Sequence, residues 1–112
     1  MPMTPQYALT EPIRDAVDSL SKGHPLLLEF GAPWCPICEA AQPLLEQAFD
    51  GRHAMVQHIK VEDGKGRPLG RSFKVKLWPT LIFMRDGQEV ERLVRPTNAA
   101  DIRAALERID NT

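Results

Sequence analysis

Cysteine is scarce in this chain: there are two residues in 112, alongside one tyrosine, two tryptophans and four phenylalanines. Two cysteines cannot staple a small fold, so they form either a working redox pair or half of a metal site. An excess of charge of one sign is missing as well. Lys and Arg number 14 against 15 Asp and Glu, for a net charge of −1, which excludes a general polyanion binder because nucleic-acid domains carry a strong basic excess. No apolar run approaches the length of a membrane span, and Met1 to Pro12 holds no Lys, no Arg and no apolar stretch of the kind that opens an export signal. These absences predict a cytoplasmic protein with no membrane or nucleic-acid partner. Internal repeats and low-complexity tracts are lacking too. What remains is an ordinary globular composition, 43% hydrophobic and sufficient for one core, so a single domain over residues 1–112 is expected. Residues 1–9 carry no pattern that assigns them.

The two cysteines stand together in Trp34-Cys35-Pro36-Ile37-Cys38, after an apolar run and before a helical pattern. At a helix N-terminus the free N–H groups and the positive end of the macrodipole favour an anion, which makes Cys35 the candidate nucleophile. Cys38 falls one turn along. From there it can pair with Cys35 or attack a mixed disulfide that Cys35 has formed. The pattern points to dithiol–disulfide exchange.

Thr10 can cap a first helix in which Ile13, Ala16, Val17 and Leu20 recur at helical spacing, with Gly23 closing it. Leu26 to Phe30, bounded by Pro25 and Gly31, reads as a central strand. The helix after Cys35 opens on Pro36, whose fixed φ and missing N–H suit a first turn. It carries Ala41, Leu44, Leu45, Ala48 and Phe49 up to a stop at Gly51, and Pro43 in its interior should kink it. Met55 to Val61 reads as a strand, and Leu69 with Phe73 suggests a short helix in a stretch rich in glycine and charge. Thr80 to Met84 and Glu89 to Val94 flank Asp86-Gly87, a pair that tolerates the positive φ of a tight hairpin. Thr97 or Asn98 can cap a last helix with Ile102, Leu106 and Ile109 on one face. The order α, β, α, β, α, β, β, α implies an α/β fold, a mixed sheet covered by helices.

The run from Glu29 to Cys38, the mid-helix Pro43, the later Trp78-Pro79-Thr80 and the Asp86-Gly87 hairpin resemble the thioredoxin superfamily in order and spacing, across nearly the whole chain. The resemblance implies the thioredoxin fold, a central mixed β-sheet with helices on both faces. It also implies a thiol–disulfide oxidoreductase that reduces protein disulfides through Cys35 and Cys38, with no bound cofactor. Its partners would be disulfide-containing protein substrates and a separate reductase or glutathione as electron donor, and a monomer is expected. In that family the proline matching Pro79 is cis and faces the cysteine pair; a cis peptide is essentially a proline phenomenon, and Trp78-Pro79 stands at a strand entry. Thioredoxins proper carry Gly-Pro between the cysteines, whereas Pro36 in the first intervening position is similar to glutaredoxins and some bacterial oxidants. Ile37 brings no charge or donor that would steady a thiolate, which implies a modest oxidant at most. Glutathione-linked or oxidising exchange is therefore the alternative within this chemistry, and a non-catalytic binding module the alternative outside it.

Glu29 lies in an otherwise apolar strand, six positions before Cys35, where the family places a buried acid that takes and returns the proton of the resolving cysteine. Burial of a carboxyl disfavours its charged form, which suits a proton shuttle near neutral pH; an edge position facing solvent is the alternative. Cys35, Cys38, His53 and His58 formally match a C-x2-C-x14-H-x4-H zinc spacing. The two histidines, however, fall in a loop entering a strand, where odd separations face opposite ways, so no metal is expected and both read as surface or core-edge residues. Trp34 and Trp78 frame the cysteine pair, and with Pro36, Ile37 and Pro79 they make the expected substrate-binding face, core packing being the other use of Trp78. From Gly64 to Arg85 stand Lys65, Arg67, Arg71, Lys74, Lys76 and Arg85 without one acid. Where this run borders the pair, with Arg95, it would favour a thiolate and steer acidic partners.

Overall fold

β1 (Leu26–Gly31) is buried along its whole length, as an apolar run must be when both faces of a strand are covered. The computed structural model containing it describes residues 3–110, so the ends of the expected domain, residues 1–2 and 111–112, lie outside the described residues. β1 pairs in parallel with β2 (Gln57–Glu62) and antiparallel with β3 (Thr80–Arg85), which pairs antiparallel with β4 (Gln88–Val94). Among the described residues this makes a mixed four-stranded sheet in the order β2-β1-β3-β4. Strand alternation then divides the core in two. Leu26, Leu28 and Phe30 pack with Val17 of α1 (Arg14–Gly23), Leu69 of α3 (Pro68–Ser72) and the adjoining Phe73. Leu27 points the other way, into a cluster with Leu45 and Phe49 of α2 (Pro36–Phe49) and Ile102 and Leu106 of α4 (Ala99–Ile109). Helices thus cover both faces, as expected. Glu29 alternates with Leu28 and so belongs to the α2 face.

Local rules account for most boundaries. Asp86 and Gly87 hold φ of 54° and 81°, the two positive values that a type I′ hairpin requires. Asn98, rather than Thr97, caps α4 by accepting the Asp101 N–H at 2.9 Å. α2 continues unbroken past Pro43, which lies on its exposed side, and Asp50 in the left-handed region (φ 49°) closes it one residue before Gly51. α1 departs from expectation at its start: it begins at Arg14, with Ile13 at the cap position and no side-chain cap, so Thr10 does not initiate it. Glu11, preceding Pro12, is biased toward extended backbone, which delays the helix. Ile13 and Ala16 are exposed, and the inward face is Val17 and Ser21. Polar contacts replace the expected stripe. Arg14 lies 3.7 Å over the Phe73 ring and donates to the Ser72 carbonyl at 2.8 Å, while Ser21 Oγ accepts the Gly87 N–H at 2.9 Å.

Candidate functional site

Cys35 is itself the N-cap of α2. Its backbone is extended (φ −94°, ψ 113°) and its Sγ accepts the Cys38 N–H at 3.2 Å, the position a Ser or Asp oxygen takes in an ordinary cap. The sulfur therefore faces the open N–H groups that favour an anion. Pro36 fits because its absent N–H is one the first turn leaves unused. Both thiols are free, with Cys35 7% and Cys38 2% exposed. Burial, and next the hydrogen bond with Cys35, pushes the Cys38 thiol up to about 12, with an Ala32 backbone hydrogen bond acting the other way. A thiol raised in this sense stabilises the fold below the ordinary thiol range, and that contribution is lost as pH climbs toward about 12. Brief treatment of the reduced protein with iodoacetamide at about pH 8 should therefore label Cys35 and spare Cys38, with both labelled in denaturant. Peptide mass spectrometry reads the ratio; equal labelling in the folded protein would contradict the asymmetry.

Beneath the pair lies a polar network set by strand register, which places Lys60 opposite Glu29 and His58 opposite Leu27. Glu29 is 0% exposed, so the edge alternative is overturned. It is not the lone carboxyl that the sequence suggests. Gln42 Nε2 donates to its Oε2 at 2.8 Å, and His58 Nε2 lies 2.8 Å from its Oε1. Because His58 Nδ1 accepts the Thr4 N–H at 2.9 Å, the ring proton stands on Nε2 and points at Glu29. Gln42 Nε2 also donates to the Cys38 carbonyl at 2.9 Å, and its Oε1 accepts from Lys60 Nζ at 3.1 Å. One amide thus links Glu29, Lys60 and the backbone of Cys38. The surface or core-edge expectation for His58 is corrected: its side chain is fully buried, both ring nitrogens are engaged, and the ring stacks on Phe49 with centroids 5.6 Å apart. His53 turns instead to Asp110, Nδ1 to Oδ2 2.7 Å.

Above the pair the surface is aromatic. Trp34 is 67% exposed and meets Trp78 edge-on, with centroids 5.5 Å apart. Trp78 packs against Ala32, Cys35 and Cys38, and its Nε1 donates to Asp63 Oδ2 at 2.9 Å, so the half-buried indole serves packing and surface together. The Trp78-Pro79 peptide is cis, as expected. Arg95 braces this segment, its N–H donating to the Pro79 carbonyl and its Nε to that of Trp78, each at 2.9 Å. Elsewhere in the basic run, Arg67 and Arg85 stand against Glu62 and Asp86 at 3.9 and 3.8 Å. Pro36 and Ile37 are exposed at the head of α2. Leu77 and Val94, both exposed, extend the apolar surface along the two segments that meet at Pro79. Sequence reasoning missed these two, along with Tyr7, Gln42, Lys60 and Asp63. For Lys60 a signal existed, since His58 and Lys60 alternate with Ile59 and Val61, but its use needs the register.

Comparison with known proteins places this arrangement. A family model described as Thioredoxin matches residues 13–108. The chain is 37% identical over 79 residues to the thioredoxin of Mycobacterium bovis, covering 70% of this chain and 68% of that one. It is 32% identical over 77 residues to a bifunctional thioredoxin reductase/thioredoxin of Mycobacterium leprae, covering 69% of this chain and 17% of that one. Among solved structures, thioredoxin 2 from Pseudomonas aeruginosa PAO1 in its reduced form matches with a TM-score of 0.81 and 51% identity, over 96% of this chain and 97% of that one. With the thiol pair capping α2 and the cis proline segment packed beside it, the chain belongs to the thioredoxin family, as a thiol–disulfide oxidoreductase.

Proposed function

We propose that this protein works in the reducing direction, cleaving disulfides of protein substrates in the cytoplasm with electrons from a separate reductase. The observation that carries this function is the asymmetry of the pair: Cys35 lies at the open end of α2, and Cys38 lies beneath it with its proton held. In the first step Cys35 attacks a substrate disulfide; a Cys35–substrate bond forms, and the other substrate sulfur leaves as a thiolate that takes a proton from water. Cys38 then gives its proton to Glu29 and attacks Cys35 Sγ. The Cys35–Cys38 disulfide forms, the second substrate sulfur departs, and two electrons have passed to the substrate. The Gln42 bridge between Glu29 and the Cys38 carbonyl supports the proton role of Glu29. Trp34, Pro36, Ile37, Trp78 and Pro79 hold an extended substrate segment, for which an exposed apolar rim with fixed backbone beside it is suited.

A compartment that keeps thiols reduced suits such work. The Mycobacterium leprae relative joins a thioredoxin reductase to a thioredoxin, which supports a reductase as donor rather than glutathione. Insulin reduction by dithiothreitol tests the function. Catalytic amounts of the protein should shorten the lag before insulin chains precipitate, and a lag equal to that without protein would reject disulfide reduction.

A further inference from the structure

Gly31 closes β1 beside the thiol pair, and a Cβ built on it would stand 2.7 Å from Cys38 Sγ and 3.1 Å from the Tyr7 hydroxyl. The first distance is shorter than real Cβ atoms tolerate, so only glycine fits without displacing the sulfur. The missing side chain leaves one small space that the resolving sulfur and a phenol share. Tyr7 reaches it from a strap that leads up to α1. Ala8 N–H donates to the Lys60 carbonyl at 2.8 Å, Pro5 carbonyl accepts from Lys60 Nζ at 3.1 Å, and the Tyr7 ring lies 4.6 Å from that ammonium. Thr4 N–H on His58 Nδ1 anchors the strap to the Glu29 network. A cavity of about 250 Å³ opens here, with Tyr7, Cys38, Gln42 and Lys60 on its walls.

We propose that the Tyr7 hydroxyl is a catalytic group of the resolving step, donating a hydrogen bond to Cys38 Sγ as the thiolate forms and attacks. This rests on the exchange chemistry proposed above. A sulfur buried to 2% exposure loses its hydration when it ionises and needs a donor in place of water. The Ala32 backbone supplies one hydrogen bond that favours the ionised sulfur. Of the side chains nearby, the Gln42 amide gives both its N–H groups to Glu29 and the Cys38 carbonyl, and Lys60 Nζ gives two of its three to Pro5 and Gln42, which leaves the Tyr7 hydroxyl as the side-chain donor at the Gly31 space. Burial, and after it the negative field of Cys38 and Glu29, raises Tyr7 well above the usual tyrosine range, so its proton stays on and it acts as donor, never as base. No bond to Tyr7 forms or breaks. The Cys38 proton goes to Glu29, the Cys35–Cys38 bond replaces the Cys35–substrate bond, and the substrate sulfur leaves as a thiolate that takes a proton from water.

Reaction with 5,5′-dithiobis(2-nitrobenzoate) separates the two steps, because Cys35 releases the first thionitrobenzoate and Cys38 the second. Tyr7→Phe keeps the ring over Lys60 and removes only the hydroxyl. The first phase should be unchanged and the second about tenfold slower, its pH–rate curve displaced upward by about one unit. The charged and titratable groups facing Cys38 through that titration are Cys35, Glu29, Glu39, Lys60 and Tyr7 itself. An unchanged second phase overturns the proposal, and so does equal slowing of both phases, which marks a general disturbance of the site. Absence of a second release from the wild type would instead reject the exchange chemistry on which it rests.

Discussion

Cys35→Ser is expected to end turnover, with insulin reduction falling at least about a thousandfold, because a serine hydroxyl neither ionises near neutral pH nor carries the redox chemistry of a thiol. The structure adds that this loss should come without a loss of fold. Cys35 caps α2 through its sulfur, and serine is among the preferred cap residues, so its oxygen can accept the Cys38 N–H in turn. Thermal unfolding of the variant should match or exceed that of the wild type. Cys38→Ser leaves the nucleophile and removes the group that resolves its adducts, so mixed disulfides with substrate proteins should accumulate on non-reducing gels. Equal trapping by the two variants would overturn the assignment of roles.

Glu29→Gln should slow the resolving step by about a hundredfold, the lower range for loss of a positioned proton acceptor, while the first attack proceeds. Its effect on stability has the opposite sign from the one that burial alone would suggest. An unpartnered buried carboxyl is costly, and its removal often stabilises. Here both oxygens already accept hydrogen bonds, from Gln42 and from His58. A glutamine would turn its own amide N–H toward one of those donors. His58 cannot answer by moving its proton, because Thr4 N–H occupies Nδ1. One buried donor is then left facing another, which costs on the order of 1–3 kcal/mol. Chemical denaturation measures this directly. A variant of unchanged stability that resolves mixed disulfides at the wild-type rate would remove Glu29 from the mechanism.

The elements were legible along the chain wherever a local rule decides the backbone. Apolar runs marked β1 and β3, Asp86-Gly87 marked the hairpin, Pro36 opened α2 and Asn98 capped α4. Each depends on a few consecutive residues. α1 was misread at its start because its partners are the Phe73 ring and the hairpin turn, far along the chain, which Arg14 and Ser21 meet with polar groups instead of an apolar stripe.

The sequence by itself determined where the chemistry lies, since two cysteines three positions apart at the junction of a strand and a helix are placed to exchange a disulfide. It also determined which of the two stands at the helix N-terminus, because that placement depends on positions adjacent in the chain. What surrounds Cys38 was decided only in three dimensions. Glu29, Gln42, His58 and Lys60 come from β1, α2 and β2, and the parallel register of β1 with β2 brings them together. Tyr7, in a segment without any periodic signal, shares the space beside Cys38 only because the strap pairs with Lys60 and Gly31 leaves that space open. A nucleophile on a helix end is a local property of the backbone. The environment that governs the release of a buried proton is a property of groups that meet across the sheet.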